Sequence, residues 1–184
     1  MLDIRLSGEN WIQREWQQEN RQDQNMARKG RIKPKKISPD PLYGSELLTK
    51  LVNRSMRDGK KSVVQKEVYR ALDLIKEKTK EESIKVFDQA LENIKPTMEV
   101  RARRVGGAAY QVPMQVRGGR RESLAIRWLV AIANARPNSE YHTYAEKLAA
   151  EIIDASKGEG GAVKKRTDME RVAEANKAFA HFRW

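Results

Sequence analysis

A chain of 184 residues with no cysteine forms no disulfide and offers no thiol nucleophile or thiolate metal site. Its 37 Lys+Arg against 25 Asp+Glu leave a net charge of +12, a balance that attracts polyanions by neutralising phosphates and releasing counterions. No stretch approaches a membrane span, no lipidation motif appears and no apolar run opens the chain, so the product is expected to stay where it is made or to be imported by other means.

Residues 1–25 differ in character from the rest. They hold three arginines and five acids, with Trp11 and Trp16 among glutamines and asparagines, and too few apolar residues for a core. They are expected to form a disordered or partner-dependent extension, and Met26-Ala27-Arg28 reads as a natural start. Residues 26–43 follow as an extended basic arm. Arg28, Lys29, Arg31, Lys33, Lys35 and Lys36 face one acid, Asp40, and prolines at 34, 39 and 41 forbid a continuous helix. Such an arm is a solvated or nuclear-targeting tail, or a segment that orders on nucleic acid, and the last reading is preferred.

The helical body occupies 44–184. Ser45 is placed to cap a first helix with Leu47, Leu48, Leu51, Val52 and Met56 at helical spacing, ending at Asp58-Gly59. Ser62 with Gln65 reads as a capping box for a second helix, and Thr79 with Glu82 repeats the pattern for a third that Pro96 stops. A fourth follows Arg120-Arg121, with Trp128 inside its apolar run, and closes at Pro137. A fifth is expected from about Tyr141 to Ser156, and a charged sixth, after Gly160-Gly161, carries Met169, Val172, Ala173 and Phe179 on one side.

Between the third and fourth helices the period changes to two. Met98, Val100 and Ala102 are apolar at even positions, Arg101 and Arg103 take the odd ones, and beyond Gly106-Gly107 the even positions Tyr110, Val112, Met114 and Val116 are apolar again. Alternation on both sides of a Gly-Gly pair predicts a β-hairpin over 98–117, because glycine supplies the positive φ of a two-residue turn. Pro113 lacks an amide donor, so its arm is an edge or turns that side outward. The expectation is one greasy face laid on helices and one face of arginine and glutamine left free. The fold class is therefore mainly α: a six-helix bundle with one inserted β-hairpin.

Positions 99–121 hold six arginines, no lysine and one acid, Glu99. Arginine's planar fork grips phosphate and stacks on bases, which solvation alone would not favour over lysine, so nucleic-acid contact is preferred to an ordinary solvated hairpin. Gly59-Lys60-Lys61-Ser62 superficially resembles the end of a phosphate loop, but Arg54 stands where the first glycine belongs and no strand precedes it. Two lysines at a helix N-terminus remain, equally a phosphate contact or a solvated turn. His142 and His181 lie far apart, with no partner at metal-ligand spacing. No cofactor, metal or small-molecule substrate is implied, nothing pairs a nucleophile with a base, and no catalysis is expected.

Arg101–Val116, taken with Ala173–Trp184, resembles the bacterial and organellar small-subunit ribosomal protein S-seven family. Asp40-Pro41-Leu42-Tyr43-Gly44, Asp58–Ser62 and Gly161–Arg166 fit the same family, and the likeness runs from 26 to 184, leaving 1–25 without a counterpart. The resemblance implies a structural protein that binds the 3′ major (head) domain of small-subunit ribosomal RNA early in head assembly. It also implies neighbouring head proteins, the platform protein S-eleven, and nearby exit-site tRNA and mRNA. Its place would be the ribosome, in a bacterial cytoplasm or an organelle interior, and several bacterial members repress their own messenger. Carried over by position, RNA contact falls on the arm, Lys60, Lys61, Arg101, Arg103, Arg104, Gly106, Gly107, Tyr110, Gln111, Arg117, Arg120, Arg121, Lys164, Lys165 and Arg166. The alternative is a DNA-bending architectural protein with basic β-arms, although Gly106-Gly107 at the tip has no side chain to wedge between bases.

Overall fold

A computed structural model describes residues 36–182. By its internal contacts the chain divides into two units, Met1–Lys36 and Ile37–Trp184. The first lies outside the described residues except for Lys36, so the expectations for 1–25 and for most of the arm do too. The second unit is mainly helical with one two-stranded antiparallel hairpin. Its helices are α1 (Glu46–Ser55), α2 (Lys61–Thr79), α3 (Ser83–Ile94), α4 (Gly118–Ala135), α5 (Tyr144–Ser156) and α6 (Gly161–Ala175), and a 3-10 turn at Lys177–Phe182 follows. Strands β1 (Met98–Val105) and β2 (Ala108–Gln115) stand between α3 and α4.

Helix α5 is the hub. Ala145, Ala149 and Ala155 let neighbours come close while Leu148 and Ile152 fill the space between them, and all five are fully buried. Around it pack α2, α3, α4 and α6, contributing Leu72, Ile75, Phe87, Leu91, Ile94 and Leu129. Burying a side chain of this size is worth about 1.5–3 kcal/mol, so the shared core dominates the stability of the unit. Trp128, inside the apolar run of α4, is partly buried and packs against the edge of this core.

The helix ends depart from expectation in informative ways. The Ser45 hydroxyl does accept from the Leu48 N–H at 3.3 Å, but α1 ends at Ser55, short of Asp58-Gly59. Ser62 does not cap α2. The cap is Lys60, with no side-chain bond, and Gln65 instead donates to the Tyr69 hydroxyl at 2.5 Å. Thr79 closes α2 by donating to the Ile75 carbonyl, while Glu82 caps α3 without a side-chain bond. The reciprocal box belongs to Thr143 and Glu146 at the start of α5, so that helix begins at Tyr144 and not at 141.

Two glycines fix the entry to α6. Gly160 has φ 92°, in the left-handed region that side chains avoid. A Cβ on Gly161 would lie 2.7 Å from Cγ2 of Ile132, so α4 and the start of α6 touch at a distance only glycine permits. Beside them the buried Glu151 accepts from Arg136 Nε at 2.9 Å and Nη2 at 2.6 Å, and from the Ala162 N–H at 2.9 Å. Desolvation opposes the Arg136 charge, but Asp154 and Glu151 outweigh it and hold the guanidinium firmly protonated. One acid thereby ties α4, α5 and α6 together.

Candidate nucleic-acid interface

Gly106 and Gly107, at φ 59° and 89°, make the two-residue turn that the sequence predicts. That turn pairs Val105 with Ala108, so positions of opposite parity stand opposite each other along the ribbon. Arg101 faces Val112, Arg103 faces Tyr110, and Glu99 faces Met114, and directly opposed residues share a face. The expected greasy and basic faces are therefore corrected: each face mixes apolar with polar residues. The division runs along the length instead. Near the helices Glu99, Val112 and Pro113 are buried, whereas Arg101 through Arg104 and Gly106 through Ala109 are exposed.

An isolated two-stranded ribbon is marginal in water, and this one is fastened at its root. The Val116 N–H donates to the Thr97 carbonyl at 3.0 Å and extends the pairing. Thr97 in turn donates its N–H at 2.9 Å and its hydroxyl at 2.7 Å to Glu170 Oε1 of α6. Desolvation pushes the Glu170 carboxyl up, but these bonds, with Arg166 and Arg121 nearby, prevail and hold it below its ordinary value. Arg121 Nε donates to the Pro96 carbonyl at 3.0 Å.

Glu99 makes the most unusual contact. Only 5% exposed, it accepts from Arg101 Nε on one oxygen at 2.8 Å and from Arg120 Nε on the other at 2.6 Å. The two arginines keep 51% and 47% of their side-chain surface open. Sequence reasoning noted Glu99 only as the lone acid. Its spacing of two residues from Arg101, which puts both on one face of a strand, was the available signal.

The other expected contacts divide into open and engaged groups. Arg103, Arg104, Gly106, Gly107, Gln111 and Arg117 are exposed on the ribbon and at its exit, as are Lys60 and Lys61 at the start of α2 and Lys164 and Lys165 near the start of α6. Lys36 is exposed, and Arg28, Lys29, Arg31, Lys33 and Lys35 lie outside the described residues. Tyr110 is half-buried, its ring 5.2 Å from Phe179 and 5.3 Å from Phe182, so the closing 3-10 turn clasps the ribbon through it. Arg166 turns inward and donates to the Asn93 carbonyl at 2.6 Å. Asp40 is buried beneath its own turn, accepting from the Leu42 and Tyr43 N–H groups and from the Tyr69 hydroxyl at 2.8 Å. Burial, and after it Asp40, raises the Tyr69 pKa, although the bond from Gln65 works the other way.

A cleft of about 380 Å³ lies between α1 and the start of α4, lined by Lys50, Asn53, Arg54, Gly119 and Ser123. Lys50 is held there by Glu122 at 2.7 Å. Among the described residues no cluster of His, Asp and Glu is arranged to hold a metal, and no helix is long and apolar enough to cross a membrane. The open groups are cations and amides suited to phosphate, and the exposed tip leaves them accessible.

The family model described as ribosomal protein S7p/S5e matches residues 27–177. A relative from Carboxydothermus hydrogenoformans, named small ribosomal subunit protein uS7, is 55% identical over 159 residues, which is 86% of this chain and 100% of that protein. Proteins of the same name from Moorella thermoacetica, at 55%, and Thermus thermophilus, at 54%, match over the same shares.

Proposed function

Because the chain belongs to the ribosomal protein S7p/S5e family, we propose that it binds the 3′ major domain of small-subunit ribosomal RNA through its ribbon and basic helix starts. It is a structural, RNA-binding constituent of the small ribosomal subunit, from a family with no catalytic role. The finer reading is an early role in assembling the subunit head, beside other head proteins and the platform protein S-eleven, near the exit-site tRNA and mRNA. The working unit is a six-helix bundle over 44–184 carrying the hairpin, preceded by a basic arm at 26–43. The relatives compared are bacterial, which favours ribosomes of a bacterial cytoplasm.

One observation carries this reading: the ribbon is rooted in the helical body yet presents exposed Arg103, Arg104 and Arg117 and half-open Arg101 and Arg120. What speaks against an ordinary solvated hairpin is the choice of cation, six arginines and no lysine over 99–121. Arginine forks set at fixed positions suit a structured phosphate backbone, whose contacts fix register and orientation. Filter binding to the 3′ major domain transcript and to duplex DNA at matched salt tests it. Preference for the transcript, with co-sedimentation on small subunits through a high-salt wash, is expected. Equal or tighter binding to the duplex would favour the architectural DNA-bending reading instead.

A further inference from the structure

We propose that Glu99 is a positioning residue for RNA: its single buried carboxylate sets Arg101 of the ribbon and Arg120 of α4 at a fixed separation for the phosphate backbone. The proposal rests on the reading that this face meets RNA and adds to it the group that arranges the contact.

A carboxylate in a surface built to attract phosphate is at first sight counterproductive, since it cancels one positive charge. Burying it is costly as well, unless partners compensate. Glu99 is 5% exposed and has two such partners, one per oxygen. The reciprocal effect is on the arginines. Two guanidinium groups repel at short range, and each has many rotamers in water. With one carboxylate between them, they are held within its span and tilted by the same group. Each spends only its Nε on Glu99, and about half of each side chain stays open. The terminal amino groups therefore remain to donate to phosphate, in a geometry prepared before RNA arrives. The two arginines come from different elements, so the acid also ties the ribbon's angle to the first turn of α4.

This arrangement separates geometry from charge, and so does its test. Glu99→Gln keeps the volume, raises the net charge by one and places an amide donor against one of the two guanidinium groups. Parent, Glu99→Gln, the double variant Arg101→Ala/Arg120→Ala, and the triple variant are compared. Each is titrated with the 3′ major domain transcript and with an unrelated transcript of equal length, at several salt concentrations, with thermal melts in parallel. The expected result is a cooperative melt for Glu99→Gln, about tenfold weaker binding to the domain transcript, and unchanged or tighter binding to the unrelated one. In the double-variant background the same substitution should add nothing, since its targets are gone. Parent-like or tighter binding of Glu99→Gln to the domain transcript would overturn the proposal, as would an equal loss in both backgrounds. A Glu99→Gln chain that no longer melts cooperatively also overturns it, because the carboxylate would then hold the fold and not the arginines. If the double variant binds like the parent, the interface reading itself fails.

Discussion

At its root the ribbon is enclosed, with Glu99, Val112 and Pro113 buried and Thr97 bonded to Glu170, whereas from Arg101 to Ala109 nearly every side chain meets water. Root and tip are continuous strands with one register, so pairing cannot be what distinguishes them. The root is held by burial and by bonds to α6 and α4, and the tip by its glycine turn and the aromatic clasp on Tyr110. Stability is concentrated at one end and accessible charge at the other. The two properties can therefore be disturbed separately.

The largest stability loss should come from the root. Val112→Asp would place a carboxylate at a position of 0% exposure opposite Arg101, which is already engaged by Glu99. An uncompensated buried charge costs about 3–5 kcal/mol, or roughly 6–20 °C in melting temperature for a chain of this size. A fall of under about 2 °C would mean that the root is not rigidly enclosed.

Next comes the turn. Gly107→Val forces a β-branched residue to φ 89°, which should cost about 1–3 kcal/mol. Nothing lies within 4 Å of a Cβ there, so the cost is backbone strain and not collision. RNA binding should fall by more than the melt explains, because the arginine spacing depends on paired strands. Parent-like binding would show that the tip need not be ordered.

A smaller effect is expected with acid. Glu170 has a lowered carboxyl pKa, so its contribution is present above the unfolded value and lost as pH falls through the folded one. Glu170→Gln should flatten the acid limb of a melting-temperature profile run from neutral pH to about pH 3, below the carboxylate range. If the acid limb keeps its parental slope, the bond to Thr97 is not stabilising the root.

The smallest stability effect belongs to the tip. Arg103→Ala and Arg104→Ala should each shift stability by no more than about 0.5 kcal/mol, as exposed positions do. For a side chain that touches phosphate, its removal should lower the salt slope of RNA binding by about one unit. A slope that stays at the parental value would remove both residues from the phosphate-facing set.

Much of the architecture was legible because helices and strands write different periods. Leu48, Leu51 and Val52 announce one, and the alternation around Gly106-Gly107 announces the other. The phase across the turn was misread for a definite reason. A two-residue turn pairs residues whose numbers differ by an odd amount, so even positions on the two arms lie on opposite faces. Caps are less legible because competing partners decide them: Gln65 bonds to Tyr69 and leaves Ser62 without its partner, while the box forms between Thr143 and Glu146, inside the stretch where the apolar spacing alone sets a helix from about Tyr141. At the interface, arginine-rich sequence does not separate exposed Arg103 from inward-turned Arg166, since the difference lies in the Asn93 carbonyl, 73 positions away.

The aromatic contact of Tyr110 with Phe179 and Phe182 also has a mechanical side. Eight residues of β-strand reach about 26 Å, so a ribbon held only at its base would act as a lever, and a tilt of about 5° would carry its tip about 2 Å. Such a displacement is comparable to the range over which a hydrogen bond is made or broken. The clasp braces the lever well out along its arm, where an equal restoring force exerts more torque than at the pivot. The last turns of the chain thus bear on how accurately the distant arginines are aimed, though none of their residues need touch a nucleotide.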